Sequence, residues 1–427
     1  MGITADETVQ VCPQCGSDIR GDARFTVWCA ACDWNVDPQK PEAEHGLPAR
    51  TRQAAAHRYG ARLAADMASG GELRARRDVA AVLACVCAVL VHGLTLLVTA
   101  LGIRWIISGW GGVPMAGGLL LLALAWSLRP RLGTLPQDGP VLHRADAPEL
   151  FALIDDVAEA VGTRGVDTVA VDADINAGVT TYGLRRRRLL TLGLPLWEVL
   201  TPAQRIALLG HELGHFSNGD VRHGTLVASA HRSLAAWAYY LAPAHNPSPV
   251  QFFVSVVCFV PWLLVRGVML TLDRLTLRAT QRAEYLADRL AGRAASTEAA
   301  VQLMDRLLIS DSAATVLRRE VSRQARGSHR TQGADDRAHG LWDRLVTSMD
   351  SVPEAEYERL RRVGARRGHS VDATHPPTHL RRACLLAVES VAPTVVVGED
   401  RTRRIGVELA DARTLVARQI LRDGFPG

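Results

Sequence analysis

Long apolar runs constrain the fold of this 427-residue chain more than any other feature of its sequence. The first, residues 78–101 (DVAAVLACVCAVLVHGLTLLVTAL), has a single acidic residue at its edge and is long enough to cross a bilayer as a helix. A second run, 110–128, is followed by Arg129 and Arg131, whereas the link between the two runs holds only Arg104. By the positive-inside rule we expect a transmembrane hairpin with both outer ends in the cytosol.

Two more apolar stretches follow in the second half of the chain. Residues 249–272 suit a membrane span. Residues 224–243 are also apolar, but His231 and Arg232 fall in their middle. The sequence therefore predicts either a second transmembrane hairpin or a helical hairpin that enters the bilayer without crossing it. We expect a multi-pass protein of the inner or plasma membrane whose termini and active site face the cytoplasm.

The N-terminal segment is set apart by its cysteines. Residues 1–10 are polar and lack the regions of a signal peptide, so we expect this segment to stay in the cytosol. Two CxxC pairs are separated by thirteen residues and comprise Cys12, Cys15, Cys29 and Cys32. This spacing indicates a zinc ribbon over residues 1–36 with one structural zinc ion, because so short a segment lacks a core of its own. Two disulfides or four reduced thiols are the alternatives.

A metal-binding motif lies in the stretch LLGHELGHFSNGD, near the middle of the chain. Thr201 and Pro202 precede it as a helix cap and a first-turn proline, so the motif is predicted to be helical. His211 and His215 then project from one face and can bind one metal ion, while Glu212 can reach a water on that ion. The alternative is a helix with two core histidines.

A catalytic zinc site needs a third protein ligand and an open position for water. Downstream, QRAEYLADRLAG (281–292) offers Glu284 and, one helical turn later, Asp288. Glu284 can complete the metal site, and Asp288 can support a histidine ligand from behind. Taken alone, this pair also fits a solvated helix face. The residues after His215, FSNGD, lack the third histidine of a metzincin.

Four segments resemble, in order, the motifs of the integral-membrane gluzincins, the zinc metalloprotease family that includes the heat-shock protease HtpX and the CAAX prenyl endopeptidases. They are INAGVTTYG (175–183), HELGHFSNGD (211–220), AEYLADRLA (283–291) and THPPTHLRR (374–382). The resemblance implies a zinc-dependent membrane endopeptidase of HtpX type, active in membrane-protein quality control. One departure is that Gly178 and Val179 stand where the family has an aromatic residue.

The resemblance also implies the catalytic metal site. In it, His211, His215 and Glu284 hold the zinc ion and Glu212 is the general base. Asp288 supports the ligands from the second layer of the site.

Further roles are carried over from the same motifs. Asp220 is implied as a second supporting carboxylate. His375 is implied to stabilise the oxyanion of the tetrahedral intermediate, with Arg381 as a second candidate for this role. Asn176 and Ala177 are implied to lie on an edge strand that pairs with an extended substrate.

Together these patterns predict a mainly α, polytopic membrane gluzincin with a small β-sheet beside the HExxH helix and an N-terminal zinc ribbon. The expected units are the ribbon (1–36), a linker with a basic helix (37–77), the first hairpin (78–128), the first part of the metalloprotease domain (129–223), the second hairpin (224–272) and the second part of that domain (273–427). Within the last unit, the Arg-rich stretch 361–367 is interpreted as a solvated surface, with contact to anionic lipid headgroups as the alternative.

The expected partners follow from composition and from the predicted class. A net charge of +5 is too mild to indicate nucleic-acid binding, so none is expected. A peptide or membrane-protein substrate, the lipid bilayer and a protein partner of the ribbon are expected. The alternative function is a non-proteolytic membrane protein with structural zinc sites that recruits partners through its ribbon.

Overall fold

The computed structural model describes residues 7–38, 79–130, 132–136, 139–217, 220–244, 248–326, 340–367 and 376–425, with single residues 60, 62, 65 and 338. The strands are β1 Glu7–Val11, β2 Asp18–Asp22, β3 Val141–Leu142, β4 Thr168–Asp172, β5 Ala177–Tyr182 and β6 Arg187–Gly193. The helices are α1 Val79–Ser108, α2 Val113–Leu128, α3 Pro148–Ala160, α4 Leu194–Val199, α5 Pro202–Ser217, α6 Asp220–Leu241, α7 Pro249–Ala295, α8 Thr297–Leu308, α9 Ser310–Arg326, α10 Leu341–Asp350, α11 Glu354–Arg367, α12 Thr378–Leu386, α13 Glu399–Glu408 and α14 Ala410–Asp423. The predicted mainly α fold with a small sheet is confirmed.

The apolar runs form helices whose side chains point outward. Among the described residues, two helical segments are long and apolar enough to cross a bilayer, α1 and the part of α7 from Pro249 to Leu277. The shorter α2 packs antiparallel on α1, and Gly102 and Gly118 lie at the crossing. Leu96 on α1 is 70% exposed, which is typical of a lipid-facing rather than a core helix.

The expected link between the first two apolar runs is wrong in one respect. Arg104 lies inside α1, which continues to Ser108. The apolar residues after Arg104 sustain the helix, and the chain turns only at the glycines from Gly109 to Gly112. The turn, residues 109–112, is therefore shorter than expected and contains no charged residue.

Helix α6 packs against both α1 and α7. A small apolar core joins the three helices through residues that include Ala88, Leu234 and Leu272. On the same face, His231 Nε2 lies 3.1 Å from Asp273 Oδ1, so the polar residue in the middle of the 224–243 stretch has a partner on α7. Helix α6 is thus a partly buried member of a helix group, and it is not among the candidate spans.

The second core surrounds a mixed sheet with the strand order β3-β4-β6-β5. Strands β4 and β6 are parallel, and the two outer strands are antiparallel to their neighbours. Fully buried side chains from α3, β6, α4 and α10 fill this core, among them Phe151, Leu190, Trp197 and Trp342. Strand β5 lies at the edge of the sheet beside α5. The sheet therefore supports the HExxH helix on one side.

The cysteine-rich unit packs on the Arg-rich helix α11. Trp28 is 7% exposed and donates its indole N–H to the Ala355 carbonyl at 3.2 Å. Arg362 donates to Asp33 Oδ1 at 2.6 Å and stacks over the Trp28 ring at 5.0 Å. Arg366 donates to the second Asp33 oxygen at 2.6 Å. The interpretation of residues 361–367 as a solvated surface is only partly right, because Arg362, Arg366 and Arg367 pair with carboxylates of the cysteine-rich unit although Arg366 and Arg367 remain exposed.

Candidate metal centres

Helix α5 carries the HExxH motif and begins where the sequence predicts. The Gln204 amide N–H donates to Thr201 Oγ1 at 3.3 Å, and the Gln204 side chain accepts from the Thr201 N–H at 3.0 Å. This reciprocal pair satisfies two N–H groups at the helix start, and Pro202 occupies the first turn. The result is a helix whose register presents His211 and His215 toward α7.

Two glycines in the motif allow α5 to lie directly on α7. A Cβ atom at Gly210 would be 3.0 Å from the Ala291 Cα, and one at Gly214 would be 3.1 Å from the Ala287 Cα. Small residues on both helices therefore bring the two backbones together at this point. Because Glu284 lies one turn before Ala287 on α7, this close approach delivers its carboxylate to the histidines.

The three expected metal-binding side chains converge. One ligand atom from each of His211, His215 and Glu284 lies within 4.8 Å of the others. His211 Nε2 is 3.4 Å from Glu284 Oε2, and His215 Nε2 is 3.6 Å from Glu284 Oε1. With bonds of about 2.1 Å, donor atoms around a tetrahedral zinc ion are about 3.4 Å apart, so the donors fit such an ion.

A buried ion pair lies behind His211. Asp288 Oδ1 is 3.0 Å from His211 Nδ1, the ring nitrogen on the other side from Glu284. Arg381, on α12, donates to both Asp288 oxygens at 2.6 and 2.8 Å. Asp288 and Arg381 are each 2% exposed. The orientation of His211 is therefore set by a carboxylate that is itself held by a guanidinium group.

The pKa values around this pair reflect the balance of burial and charge. Burial and the nearby Arg381 oppose the charged form of His211, but hydrogen bonds to Asp288 and Glu284 raise its pKa to about 10. Burial also opposes ionisation of Asp288, yet Arg381 and His211 hold the pKa of this carboxyl well below its usual range. Asp288 is thus a carboxylate and a hydrogen-bond acceptor at neutral pH.

The site has a closed side and a more open side. His211 and Glu284 are each 4% exposed and Glu212 is 7% exposed, whereas the His215 side chain is 22% exposed. Access from solvent is therefore greatest on the His215 side. A catalytic metal site keeps such an opening for water and substrate.

Strand β5 provides the edge next to this helix. Its first residue, Ala177, pairs with Leu192 of β6, and Asn176 precedes it. The Ala177 N–H donates to Asn176 Oδ1 at 2.9 Å, and the Gly193 N–H donates to the backbone carbonyl of Asn176 at 2.9 Å. Asn176 thereby fixes the start of the edge strand.

For two expected site residues the structure describes no side-chain environment. His375 lies in the range 368–375, beyond the described residues. For Asp220 the structure gives the backbone, which starts α6, and no side-chain environment. Their roles stay predictions.

The four N-terminal cysteines form the second centre. Their Sγ atoms all lie within 4.8 Å of one another, with Cys12–Cys32 and Cys15–Cys29 both at 3.6 Å. A disulfide would require about 2.05 Å, whereas thiolates around a tetrahedral zinc ion are about 3.8 Å apart. Hydrogen bonds from Ser17 lower the pKa of the exposed Cys15 thiol to about 6, whereas burial raises the pKa of the Cys32 thiol to about 12, so Cys15 is the cysteine more ready to bind metal as a thiolate. The arrangement fits one metal ion and not two disulfides.

The sequence does not predict two features of the folded chain. The Asp288–Arg381 pair joins residues 93 positions apart, and Arg381 was expected only as an oxyanion contact. The neighbouring Arg382 and Arg361 both donate to Asp305, so α11 and α12 share one acceptor on α8. The only signal for these pairs is the density of arginine in 361–382, which does not identify their partners.

Comparison with known proteins agrees with this arrangement. Residues 144–389 match the model of peptidase family M48. A protein named protease HtpX homolog, from Thermococcus kodakarensis (strain ATCC BAA-918 / JCM 12380 / KOD1), is 26% identical over 105 residues, which are 24% of this chain and 36% of that protein. The chain thus matches about a third of the length of this curated relative. No solved structure matches.

Proposed function

Because the chain belongs to peptidase family M48, and is therefore a metallopeptidase, we propose that it is a membrane-bound, zinc-dependent endopeptidase. The observation that carries the proposal is the convergence of His211, His215 and Glu284, with Glu212 beside the two histidines on α5. A site with only a structural role has no need of a general base next to its ligands. The presence of Glu212 therefore favours catalysis over the non-proteolytic alternative.

The donor set defines how the residues would act. A zinc ion held by His211, His215 and Glu284 would acidify a water molecule and polarise the substrate carbonyl. Glu212 would accept a proton from the attacking water and return it to the departing amine. Water is the nucleophile, so no acyl-enzyme forms. His375 is proposed to stabilise the developing oxyanion.

The contacts of Arg381 support a positioning role for this residue. Its buried guanidinium group donates twice to Asp288, and its remaining nitrogen lies 3.7 Å from Glu284 Oε2, so it faces the metal-binding residues rather than a substrate. Asp288 in turn fixes the His211 ring. We propose that Arg381 acts on catalysis through the orientation of this ligand.

The substrate is proposed to bind as an extended strand along β5. This strand is at the edge of the sheet and lies beside α5, so a peptide paired with it would run past the metal site. Asn176 and Ala177 stand at the start of this edge. Peptides and unfolded segments of membrane proteins are the proposed substrates, in a quality-control role at the membrane.

The position of Glu284 on α7 supports a site close to the membrane. Helix α7 is unbroken from Pro249 to Ala295, and its apolar part ends at Leu277. Glu284 lies seven residues further on, about 10 Å along the helix axis. With the turn between α1 and α2 on the far side of the bilayer, the termini and the metal site are proposed to face the cytoplasm.

One pair of measurements tests the proposal. Wild-type protein and Glu212→Gln are purified in detergent, and their zinc content and cleavage of casein are measured. We expect equal zinc in both and a loss of cleavage of about 100-fold or more in the variant, as for removal of a general base. Full cleavage by Glu212→Gln, or no cleavage by zinc-loaded wild-type protein, would overturn the proposal and favour the non-proteolytic alternative.

A further inference from the structure

The hairpin between β5 and β6 ends in an exposed basic tip. This tip, defined here as residues 183–187, has the sequence Gly-Leu-Arg-Arg-Arg. Leu184 is 90% exposed, and Arg185 and Arg187 are exposed as well. The tip contains no acidic residue. An exposed apolar side chain flanked by arginines suits a surface that is apolar inside and anionic outside.

The position of the tip is fixed first by the segment that leaves α2. The Gly183 N–H donates to the Gly133 carbonyl at 3.1 Å. A Cβ atom at Gly133 would lie 2.3 Å from the Thr181 carbonyl oxygen, so this close contact requires glycine. Gly133 follows Leu128, the last residue of α2, by five positions, which span at most about 18 Å. The tip is thus tied to the end of an apolar helix.

A second contact fixes the tip from the other side. Arg188, directly after the tip, stacks its guanidinium group 4.4 Å from the centre of the Phe216 ring. Phe216 is four residues before Asp220, where α6 begins its path along the apolar helices α1 and α7. The tip therefore lies on the side of the metallopeptidase domain from which the apolar helices leave. It is adjacent to two separate connections to them.

We propose that the tip binds the surface of an anionic phospholipid membrane. Leu184 inserts at the boundary between headgroups and acyl chains, and Arg185 and Arg187 pair with lipid phosphates. Because β5 runs directly into the tip, this anchor holds the edge strand at a fixed distance from the bilayer. The inference rests on the membrane attachment in the proposed function, but not on peptidase activity.

The opposite end of the domain offers a matched control position. Val407 on α13 is apolar and 71% exposed, like Leu184. Arg404 on the same helix donates to Glu149 at the start of α3, whereas the other end of α3 is near α5, since Ser217 Oγ donates to the Val161 carbonyl. Val407 therefore lies at the end of α3 that is remote from α5, about 20 Å away along this 13-residue helix.

The test uses a fluorescent amino acid placed in the full-length protein at position 184, 407 or 96, in three separate preparations. Each is reconstituted into nanodiscs of phosphatidylcholine alone or of an equal mixture with phosphatidylglycerol. Lipids with a spin-label quencher on the headgroup report contact for positions 184 and 407, and lipids with the quencher on the acyl chain report contact for position 96. Leu96 on α1 is the reference for membrane attachment.

We expect position 184 to lose emission in the anionic mixture, to lose less in phosphatidylcholine alone, and to recover emission in an Arg185→Glu, Arg187→Glu background. Position 407 should keep its emission throughout. If position 96 is quenched, membrane attachment stands. The inference then fails in either of two cases: position 184 keeps its emission like position 407, or position 184 is quenched equally in both lipid mixtures and with or without the two arginines. If position 96 is not quenched, membrane attachment fails and the inference fails with it.

Discussion

Arg381 and Asp288 form a buried, two-point ion pair at 2.6 and 2.8 Å that ties α12 to the helix carrying Glu284. Since Asp288 also lies 3.0 Å from His211 Nδ1, the pair links the C-terminal THPPTHLRR segment directly to a metal-binding histidine. Two buried charges are stable here only because each satisfies the other. The geometry of the metal centre thus depends on a residue about 170 positions away from the HExxH motif.

Removing one partner of this pair is expected to destabilise the fold. Arg381→Met leaves the Asp288 carboxylate buried without its counter-charge, which typically costs about 3–5 kcal/mol. We expect a lower free energy of unfolding, measured by denaturant titration in detergent, and weaker zinc retention against a chelator in the fraction that stays folded.

The double variant Arg381→Met, Asp288→Asn is the control for this prediction. Arg381→Met and Asp288→Asn each break the same interaction. The double variant should therefore lower the free energy of unfolding by less than the sum of the two single variants. Strictly additive losses would show that the pair does not act as a unit.

The third metal ligand is the next prediction. Glu284→Gln keeps the size of the side chain but removes the negatively charged ligand of the site, since the two histidines are neutral ligands. The zinc content should therefore fall from two ions to the one held by the cysteines, with loss of peptidase activity. Asp288→Ala should have a smaller effect on zinc, about 10 to 100-fold in affinity. Metal analysis after dialysis provides the measurement.

Glu298→Ala is the matched control for Glu284. Glu298 is exposed at the start of α8, where its carboxylate accepts from Gln302. This variant should keep both ions and full activity. If Glu284→Gln retained both ions, the assigned ligand would be wrong.

Much of the metal site can be predicted from the sequence because its signals are local. The spacing of His211 and His215 follows from helix geometry, and the Thr201–Gln204 cap is encoded within four residues. Glu284 is harder, because its approach to the histidines depends on Gly210 and Gly214 facing small residues of another helix. A sequence shows the glycines but not the helix that they face.

Charge pairs between distant segments are the part that sequence reasoning does not reach. Arginine is compatible with water, a lipid phosphate or any carboxylate, so Arg362 and Arg366 look like solvated side chains until Asp33 is placed beside them. The same holds for Arg381 and Asp288. Burial, which decides whether such a residue is structural, is a property of the folded chain alone.

The close helix contact gives a further prediction. In Gly214→Ala the new methyl carbon would lie 3.1 Å from the Ala287 Cα, so α5 and α7 must separate slightly. We expect weaker zinc binding and lower thermal stability, because the histidines and Glu284 are on different helices.

Gly267→Ala is its control on α7. A Cβ atom there meets nothing within 4 Å, and alanine favours a helix by about 1 kcal/mol over glycine. This change should leave zinc affinity unaltered. Equal effects of the two variants would mean that the α5–α7 contact does not set the metal geometry.

The proposed topology predicts which side of the membrane a reporter cysteine meets. Gly112 lies in the turn between α1 and α2, and Leu415 is 53% exposed on α14. In intact cells, a membrane-impermeant thiol reagent should label Gly112→Cys but not Leu415→Cys, with the wild-type chain as background. Labelling of Leu415→Cys alone would reverse the orientation.

The contact between the cysteine-rich unit and α11 gives the last prediction. Trp28→Ala removes the ring that packs under Arg362 and the N–H that bonds to the Ala355 carbonyl. The four cysteines are untouched, so we expect the ribbon to keep its metal ion while it detaches from α11. Amide hydrogen exchange should rise over 354–367, and more so at high salt, which screens the remaining Asp33 pairs.

Arg403→Met is the matched control, since Arg403 pairs only with the nearby exposed Asp400 on α13 in the described structure. A surface pair of this kind contributes about 1 kcal/mol or less, so exchange over 354–367 should not change. Cys29→Ser should instead lose the ribbon's metal ion and also raise exchange in α11, because the fold that presents Trp28 depends on that ion. Unchanged protection of α11 in Trp28→Ala would show that the ribbon does not stabilise this helix.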